Sequence, residues 1–393
     1  MKKIQAASTF VEGAFDRNIV QATAAKLAAE TGGGASCAVV FVSSDYLDDL
    51  EEFCEIFRIH GHVPTVIGCT ASGFISTGRE IENESGFSAL TLHLPDIKIT
   101  AMELPSSHVS ESNNSAFWSD NLKTPPDQVQ GWIALCDPYH FPSELWLRQW
   151  NQSYPGIPTL GGLASAHPDP EQTAVFLNGK RGSGAVVLGF SGDIELRTVV
   201  SQGCRPIGEP LTITKVTNNI VLTLGGIPAY EVLSQAFSDL SKEDKQIARG
   251  SLFAGLASSE YLEEYKLGDF LIRPILAADP NSGAIALGDQ VRTGQTMQYQ
   301  LRDSKSAHEE LADCLKNESK KKPAPLCSLL FSCTGRGNGF FGVPHHDAIA
   351  IGNALGPIPT AGFFCNGEIG PVGGSNFLHG YTASIAFLAE KKS

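Results

Sequence analysis

The feature that most constrains this chain is a recurring pattern. An apolar strand is followed by a short polar turn and an amphipathic helix, then by a second strand that runs into a turn rich in Gly, Ser and Cys. A further apolar strand follows each time. The first instance places strands at 37–44 (CAVVFVSS), 64–73 (PTVIGCTASG) and 87–94 (FSALTLHL), with a helix at 47–58. The second has strands at 131–137, 157–165 (IPTLGGLAS) and 184–190 and a helix at 142–150. A weaker third has a helix from Pro228 to about Leu240, with proline at its start, then strands at 252–259 and 270–276. The fourth runs through 326–333 (LCSLLFSC), a helix at 345–355, 358–370 (IPTAGFFCNGEIG) and 377–388.

Leu50, Phe53, Cys54 and Phe57 carry helical spacing, and the strands are short apolar runs bounded by Gly or Pro. A strand–helix–strand step favours parallel pairing with a right-handed crossover, and the strand behind it can return antiparallel. Four units, paired two and two, therefore predict an α/β protein. It would consist of internally duplicated strand-helix-strand units forming mixed β-sheets covered by helices, in two intimately packed domains. The boundary is expected near Gly225-Gly226, giving domains 1–225 and 226–393. Residues 105–126, rich in Ser, Asn and Pro, read as a long surface loop, and 320–325 as a short stiff connector.

Charge and cysteine usage narrow the function. Over 393 residues, 29 Lys+Arg stand against 42 Asp+Glu, a net charge of −13. Such a balance argues against nucleic-acid and anionic-membrane partners, which need basic faces. The one basic run, 320–322, reads as a solvated linker. Nine cysteines, an odd number without a CxxC pair and several inside apolar runs, argue for reduced thiols and a cytoplasmic location. The first 18 residues hold no apolar run of signal-peptide length, and no stretch of about 18 apolar residues exists to span a membrane.

Chemistry-bearing residues concentrate in two segments. Residues 333–347 (CTGRGNGFFGVPHHD) enter a glycine-rich loop from a strand end and lead into a helix. Such a loop can present backbone amides to an anion, and Arg336 adds a forked donor for a carboxylate or phosphate. The plainer alternative is a turn whose Arg336 pairs with a nearby acid. Residues 361–371 (AGFFCNGEIGP) place Asn366 and Glu368 between glycines, where a carboxylate can accept turn amides or a ligand ammonium. Cys69 in 68–73 (GCTASG) and Cys333 look like one device used in each half, and both are candidate nucleophiles. No residue that would orient a catalytic histidine can be named.

Known cradles do not fit. The 73–78 segment has Walker-like glycine spacing, but Arg79-Glu80 stands where Lys-Ser/Thr is needed. His345, His346, Asp347, His379, Cys333, Cys365 and Glu368 are of metal-ligating type. Adjacent helical histidines point about 100° apart, however, and no HExxH supports them. Neither a metal nor a cofactor is expected; instead one histidine of the pair caps or lines a pocket.

At these motifs the sequence resembles the FIST family, with tandem FIST N-terminal and C-terminal domains. The resemblance rests on 39–46 (VVFVSSDY), 66–73 (VIGCTASG), 160–165 (LGGLAS), 202–210 (QGCRPIGEP), 228–233 (PAYEVL), 332–337 (SCTGRG), 362–371 (GFFCNGEIGP) and 378–382 (LHGYT). It implies an intracellular sensory domain for small ligands, amino acids among them, and no established catalysis. The reading that follows is a stand-alone binding protein with its pocket among the strand-end turns. Cys69, Thr70, Cys333, Thr334, Arg336, His345, Asn366, Glu368 and His379 would line it, with Arg336 holding a carboxylate and Glu368 an ammonium. Such a protein would report through a separate signalling partner or its own oligomer. The alternatives are a cysteine-dependent enzyme acting on an acyl or amide substrate, and a protein scaffold.

Overall fold

A computed structural model describes residues 4–260 and 264–391. The chain forms two compact units: one contains the residues up to Val200 together with those from Ala312 onward, and the other is Ser201–Leu311. The fold is α/β, with mixed sheets and covering helices, as the pattern predicts.

In the first unit the pattern occurs three times. The first repeat comprises β1 (Gln5–Glu12), α1 (Arg17–Glu30), β2 (Cys37–Val42), α2 (Leu50–Gly61), β3 (Val66–Thr70), a hairpin of β4 (Gly73–Ser76) and β5 (Arg79–Glu82), and β6 (Gly86–His93). The second comprises β7 (Lys98–Pro105), α3 (Ser106–Glu111), α4 (Phe117–Leu122), β8 (Val129–Cys136), α5 (Ser143–Ser153), β9 (Thr159–Leu163), the hairpin β10 (Val175–Leu177) and β11 (Lys180–Gly182), and β12 (Gly184–Ser191).

The third repeat opens with β13 (Ile194–Ser201) and is then interrupted by the second unit. That unit holds β14 (Cys204–Thr217), β15 (Ile220–Leu224), β16 (Ile227–Pro228), α6 (Ala229–Ser238), α7 (Lys242–Ala248), β17 (Leu252–Ala257), β18 (Phe270–Asp279), β19 (Ala284–Leu287) and β20 (Thr296–Arg302). Helix α8 (Ser304–Ser319) leads on to β21 (Cys327–Cys333), α9 (Asn338–Phe341), α10 (His346–Leu355), β22 (Thr360–Cys365), the hairpin β23 (Glu368–Val372) and β24 (Ser375–His379), and β25 (Ala383–Glu390).

Each repeat builds one sheet around a parallel pair: β2 with β3, β8 with β9, β21 with β22. Strands β6, β12 and β25 return antiparallel beside the first member of each pair. The hairpins are exchanged. Strand β10 pairs with β3, β23 with β9, and β4 with β22, so each hairpin completes the sheet of another repeat in a cyclic order. No repeat finishes its own sheet.

Alternation along the strands explains the layers. Cys37, Val39 and Phe41 face a central core shared with Ile133 and Leu135 and with Cys327, Leu329 and Phe331 of the other two sheets. Ala38, Val40 and Val42 face the opposite way, packing with Val20 and Leu27 of α1 and with Phe53 and Phe57 of α2. Trp132 and Ala134 likewise pack outward with Trp146 and Trp150 of α5. Strands buried on both faces are apolar throughout, which is why they read as continuous runs.

Two expectations need correction. Residues 105–126 are not a structureless loop: they contain α3 and α4, anchored by the buried Val109, Trp118 and Leu122. The pattern at 228–276 is not a further copy. Helix α6 follows a two-residue strand that offers no parallel partner, and β17 and β18 pair antiparallel in a seven-stranded sheet. Gly225 and Gly226 form the β15–β16 turn with φ of 57° and 83°, a conformation that favours glycine.

Candidate functional site

The three parallel pairs of the first unit, one in each sheet, end in corresponding turns, where loops carry the polar residues. Registers make the three ends comparable. Val40 lies opposite Gly68, Ala134 opposite Gly161, and Leu330 opposite Gly362. Three residues beyond Val40, Ala134 and Leu330, the amides of Ser43, Asp137 and Cys333 donate to the carbonyls of Gly86, Gly184 and Thr382 at 3.0, 2.8 and 3.0 Å. On the second strands the matching loop positions are Ser72, Ser165 and Asn366, which meet. Ser72 donates its amide to Ser165 Oγ (2.9 Å), Ser165 Oγ donates to the Phe364 carbonyl, and Asn366 Nδ2 donates to the Ala164 carbonyl (3.1 Å).

This register corrects the pairing of Cys69 with Cys333. Cys69 sits on the second strand of its pair, opposite Phe41, and its counterparts are Gly162 and Phe363. Cys333 ends the first strand of its pair, and its counterparts are Ser43 and Asp137. Cys69 and Cys365 lie in the central hydrophobic core, fully buried. Burial pushes both thiols well above their ordinary value, with the neighbouring Cys136 adding to the effect at Cys69 and Glu368 at Cys365. Thr70 is buried too, and its Oγ1 accepts from the Ala174 amide (3.0 Å), pinning the loop before β10.

The third repeat gathers most of the remaining candidates. The Arg336 amide bonds the Cys333 carbonyl (2.8 Å), and its guanidinium is fully buried. Arg336 Nε and Nη2 grip Asp347 at 2.8 and 3.0 Å, Ser332 Oγ donates to the same carboxylate (3.0 Å), and His346 Nδ1 lies 2.8 Å from it. Phe341 stands beneath the guanidinium at 5.1 Å, with the His346 ring stacked on it. The glycine-rich turn thus pairs its arginine with an acid eleven residues on. Burial alone would raise the Asp347 pKa, but Arg336 and His346 hold this carboxyl well below the usual range.

Glu368 is fully buried and accepts from the Thr382 amide (3.1 Å). It lies opposite His379, also buried, whose Nε2 donates to the Gly370 carbonyl (3.0 Å). Cys333 keeps 8% of its surface, while Thr334 and Asn366 are exposed. His345, half-buried at the start of α10, accepts the Glu80 amide at Nδ1 (3.1 Å).

Sequence reasoning missed the role of β5. Its Glu80 carboxylate caps α10 through the Ala348 amide (2.8 Å), and Glu82 caps α9 through the Asn338 amide (2.8 Å). Burial and the neighbouring Asp347 charge push Glu80 up to about 8. The local sequence gave no signal for this, since Glu80 and Ala348 are 268 residues apart.

An accessible hollow lies at the strand ends of the first repeat. It measures about 270 Å³ and is lined by Ser43, Ser44, Asp45, Ala71, Ser72, Asn83, Glu84 and Ser85, with His167, Pro168 and Gln172 from the loop between β9 and β10. None of the polar members was a sequence-level candidate, although the threefold repetition of the strand-end turn (TASG, LASA, FCNG) was there to align. Among the described residues no group of three or more His, Cys, Asp or Glu is placed to hold a metal ion, and no helix is long and apolar enough to cross a membrane.

Comparison with known proteins gives the family. An uncharacterised protein of Mycobacterium tuberculosis strain H37Rv is 35% identical over 369 residues, covering 91% of this chain and 92% of its own length. An uncharacterised protein of Mycobacterium bovis matches with the same identity and coverage. Among solved structures, a cyanuric acid hydrolase from A. caulinodans aligns over 99% of this chain with 9% identity and a TM-score of 0.33, and a chorismatase over 98% with 8% identity and a TM-score of 0.34. Residues 36–227 match the FIST N domain and residues 229–371 the FIST C domain. The chain belongs to the FIST family, whose domains are associated with sensory signal transduction.

Proposed function

We propose that this chain is a cytoplasmic sensory protein that binds a small polar ligand at the strand-end edge of its first unit and reports to a separate effector. The observation that carries this reading is the hollow beside Ser72. The carboxyl ends of parallel strands are where α/β proteins place ligands, because side chains and loop amides converge there. At about 30 Å³ per water, the hollow is worth roughly nine waters, the scale of an amino-acid-sized molecule. In this reading Cys69, Thr70, Arg336, Glu368 and His379 hold the frame, whereas Thr334 and Asn366 extend the polar edge outside it.

The test is native mass spectrometry of protein taken from cells, followed by thermal-shift and calorimetric screening with amino acids, organic acids, polyols and amines. A ligand whose stabilising effect is lost in Gln172→Ala is the expected result. Absence of both a co-purified mass and any stabilising compound overturns the reading.

One observation favours a second reading. Of the strand-end thiols Cys69, Cys333 and Cys365, only Cys333 keeps any exposure. Alkylation of Cys333 in the folded protein faster than that of the half-buried Cys314 would support a nucleophile there. Slower labelling rejects it.

A further inference from the structure

We infer that the hollow of the first repeat selects a small hydroxylated organic cation, a primary ammonium bearing hydroxyl groups, over the zwitterionic amino acid that the glycine-turn residues suggested. This rests on the reading above that the hollow binds a ligand at all, and it names the ligand's charge class.

Among the described residues the lining carries two carboxylates, Asp45 and Glu84, one imidazole, His167, and neither lysine nor arginine. Arg336, the expected carboxylate holder, is fully buried and bound to Asp347 through two nitrogens, and it does not line this hollow. Arg181, which reaches the Leu47 carbonyl, is also outside the lining. A ligand carboxylate would therefore meet two like charges and, among the described lining residues, His167 as the sole basic side chain, whereas an ammonium meets two partners.

The remaining lining groups fit hydroxyls. Several are already held in place: Ser43 Oγ lies between the carbonyl and amide of Gly86 (3.2 and 2.9 Å), Ser44 Oγ donates to the His167 carbonyl (3.1 Å), and Ser85 Oγ donates to Asp45 Oδ2 (2.9 Å). The last bond fixes one Asp45 oxygen and leaves the other to accept. Among the described residues, no other side chain engages those of Asn83, Glu84 or Gln172, and Ser72 Oγ has no protein partner. Two amides, a hydroxyl and a carboxylate are thus available to one bound molecule. Amides and hydroxyls both donate and accept, which matches ligand hydroxyls, while the carboxylates only accept, which matches an ammonium.

Four three-carbon probes isolate the charge on a nearly constant skeleton: 2-amino-1,3-propanediol (cation), glycerol (neutral), serine (zwitterion) and glycerate (anion). Titration calorimetry at low salt is expected to rank the cation first, at least tenfold above serine, with glycerate giving no heat. Asp45→Asn and Glu84→Gln are each expected to weaken the cation about fivefold, and the double variant to bring it level with glycerol. Both side chains are exposed, so unchanged melting temperatures will show that the variants are folded.

Serine or glycerate binding as tightly as the cation overturns the charge assignment and leaves the binding reading standing. If the cation fails to bind while a compound of another class in the wider screen does, the assignment falls alone. If nothing in the screen binds, both fall.

Discussion

Glu80 and Asp347 are neighbouring buried carboxyls beside Arg336, and they respond to pH in opposite ways. Glu80 is raised to about 8 by burial and by the Asp347 charge, so the fold prefers its protonated form. Its favourable share is fully present below the unfolded pKa near 4.5 and is lost as pH rises through 8. Asp347 is depressed, so its share is present above the unfolded value of 3.8 and lost in acid. Glu80→Gln removes the first of these. Urea unfolding from pH 5 to 8 should show the wild type losing stability relative to this variant, by up to about 1 kcal/mol per pH unit, with a gap that stops growing above pH 8. Arg336→Ala strips the counterion from a buried carboxylate and should destabilise the chain by about 3–5 kcal/mol in the same measurement. A loss below about 1 kcal/mol would mean that Arg336 is not structural and would return it to the ligand site.

At the scale of elements, the parallel pairs are set by three glycines. A Cβ on Gly68, Gly161 or Gly362 would stand 2.1, 1.7 or 2.0 Å from the carbonyl oxygen of Val40, Ala134 or Leu330 on the adjoining strand. Backbone cannot move aside as a side chain can, so Gly161→Ala should cost about 2 kcal/mol or more. Gly352 in α10 is the control, because a Cβ there meets nothing within 4 Å. Gly352→Ala should stabilise by about 0.5–1 kcal/mol, which chemical denaturation of the two variants side by side will show. These elements were largely legible. The strand at 37–44 and the helix at 47–58 appear as β2, two residues shorter at its end, and α2, three residues further on, because their apolar period is a local property. Helices α3 and α4 were not legible, since six-residue helices among Ser and Asn depend on burying Val109 and Trp118 rather than on propensity.

At the scale of the molecule, the second unit is an insertion whose first and last strands, β14 and β20, pair with Cys204 opposite Arg302. The ends therefore lie one strand spacing apart, and a short turn can replace residues 205–301. The expected product keeps a cooperative thermal transition and the circular-dichroism signature of an α/β chain. A molten profile would show that the three-repeat unit depends on the insertion. The same scale explains what was misread. Periodicity revealed a repeat but not its count, because 228–276 imitates the pattern locally while its strands pair antiparallel. It revealed a glycine-rich corner but not its use, because the partner of Arg336 is chosen by what burial demands.

The sequence by itself determined the repeating unit, the parallel pairs, the glycine turns and the family, since backbone geometry and apolar period act over ten residues or so. Only the tertiary structure decided that hairpins are exchanged among three repeats, that β5 caps helices more than 250 residues away, and that the open hollow falls beside Ser72 and Asp45. The physical reason is that burial and charge pairing are settled by neighbours in space, and here those neighbours come from different repeats.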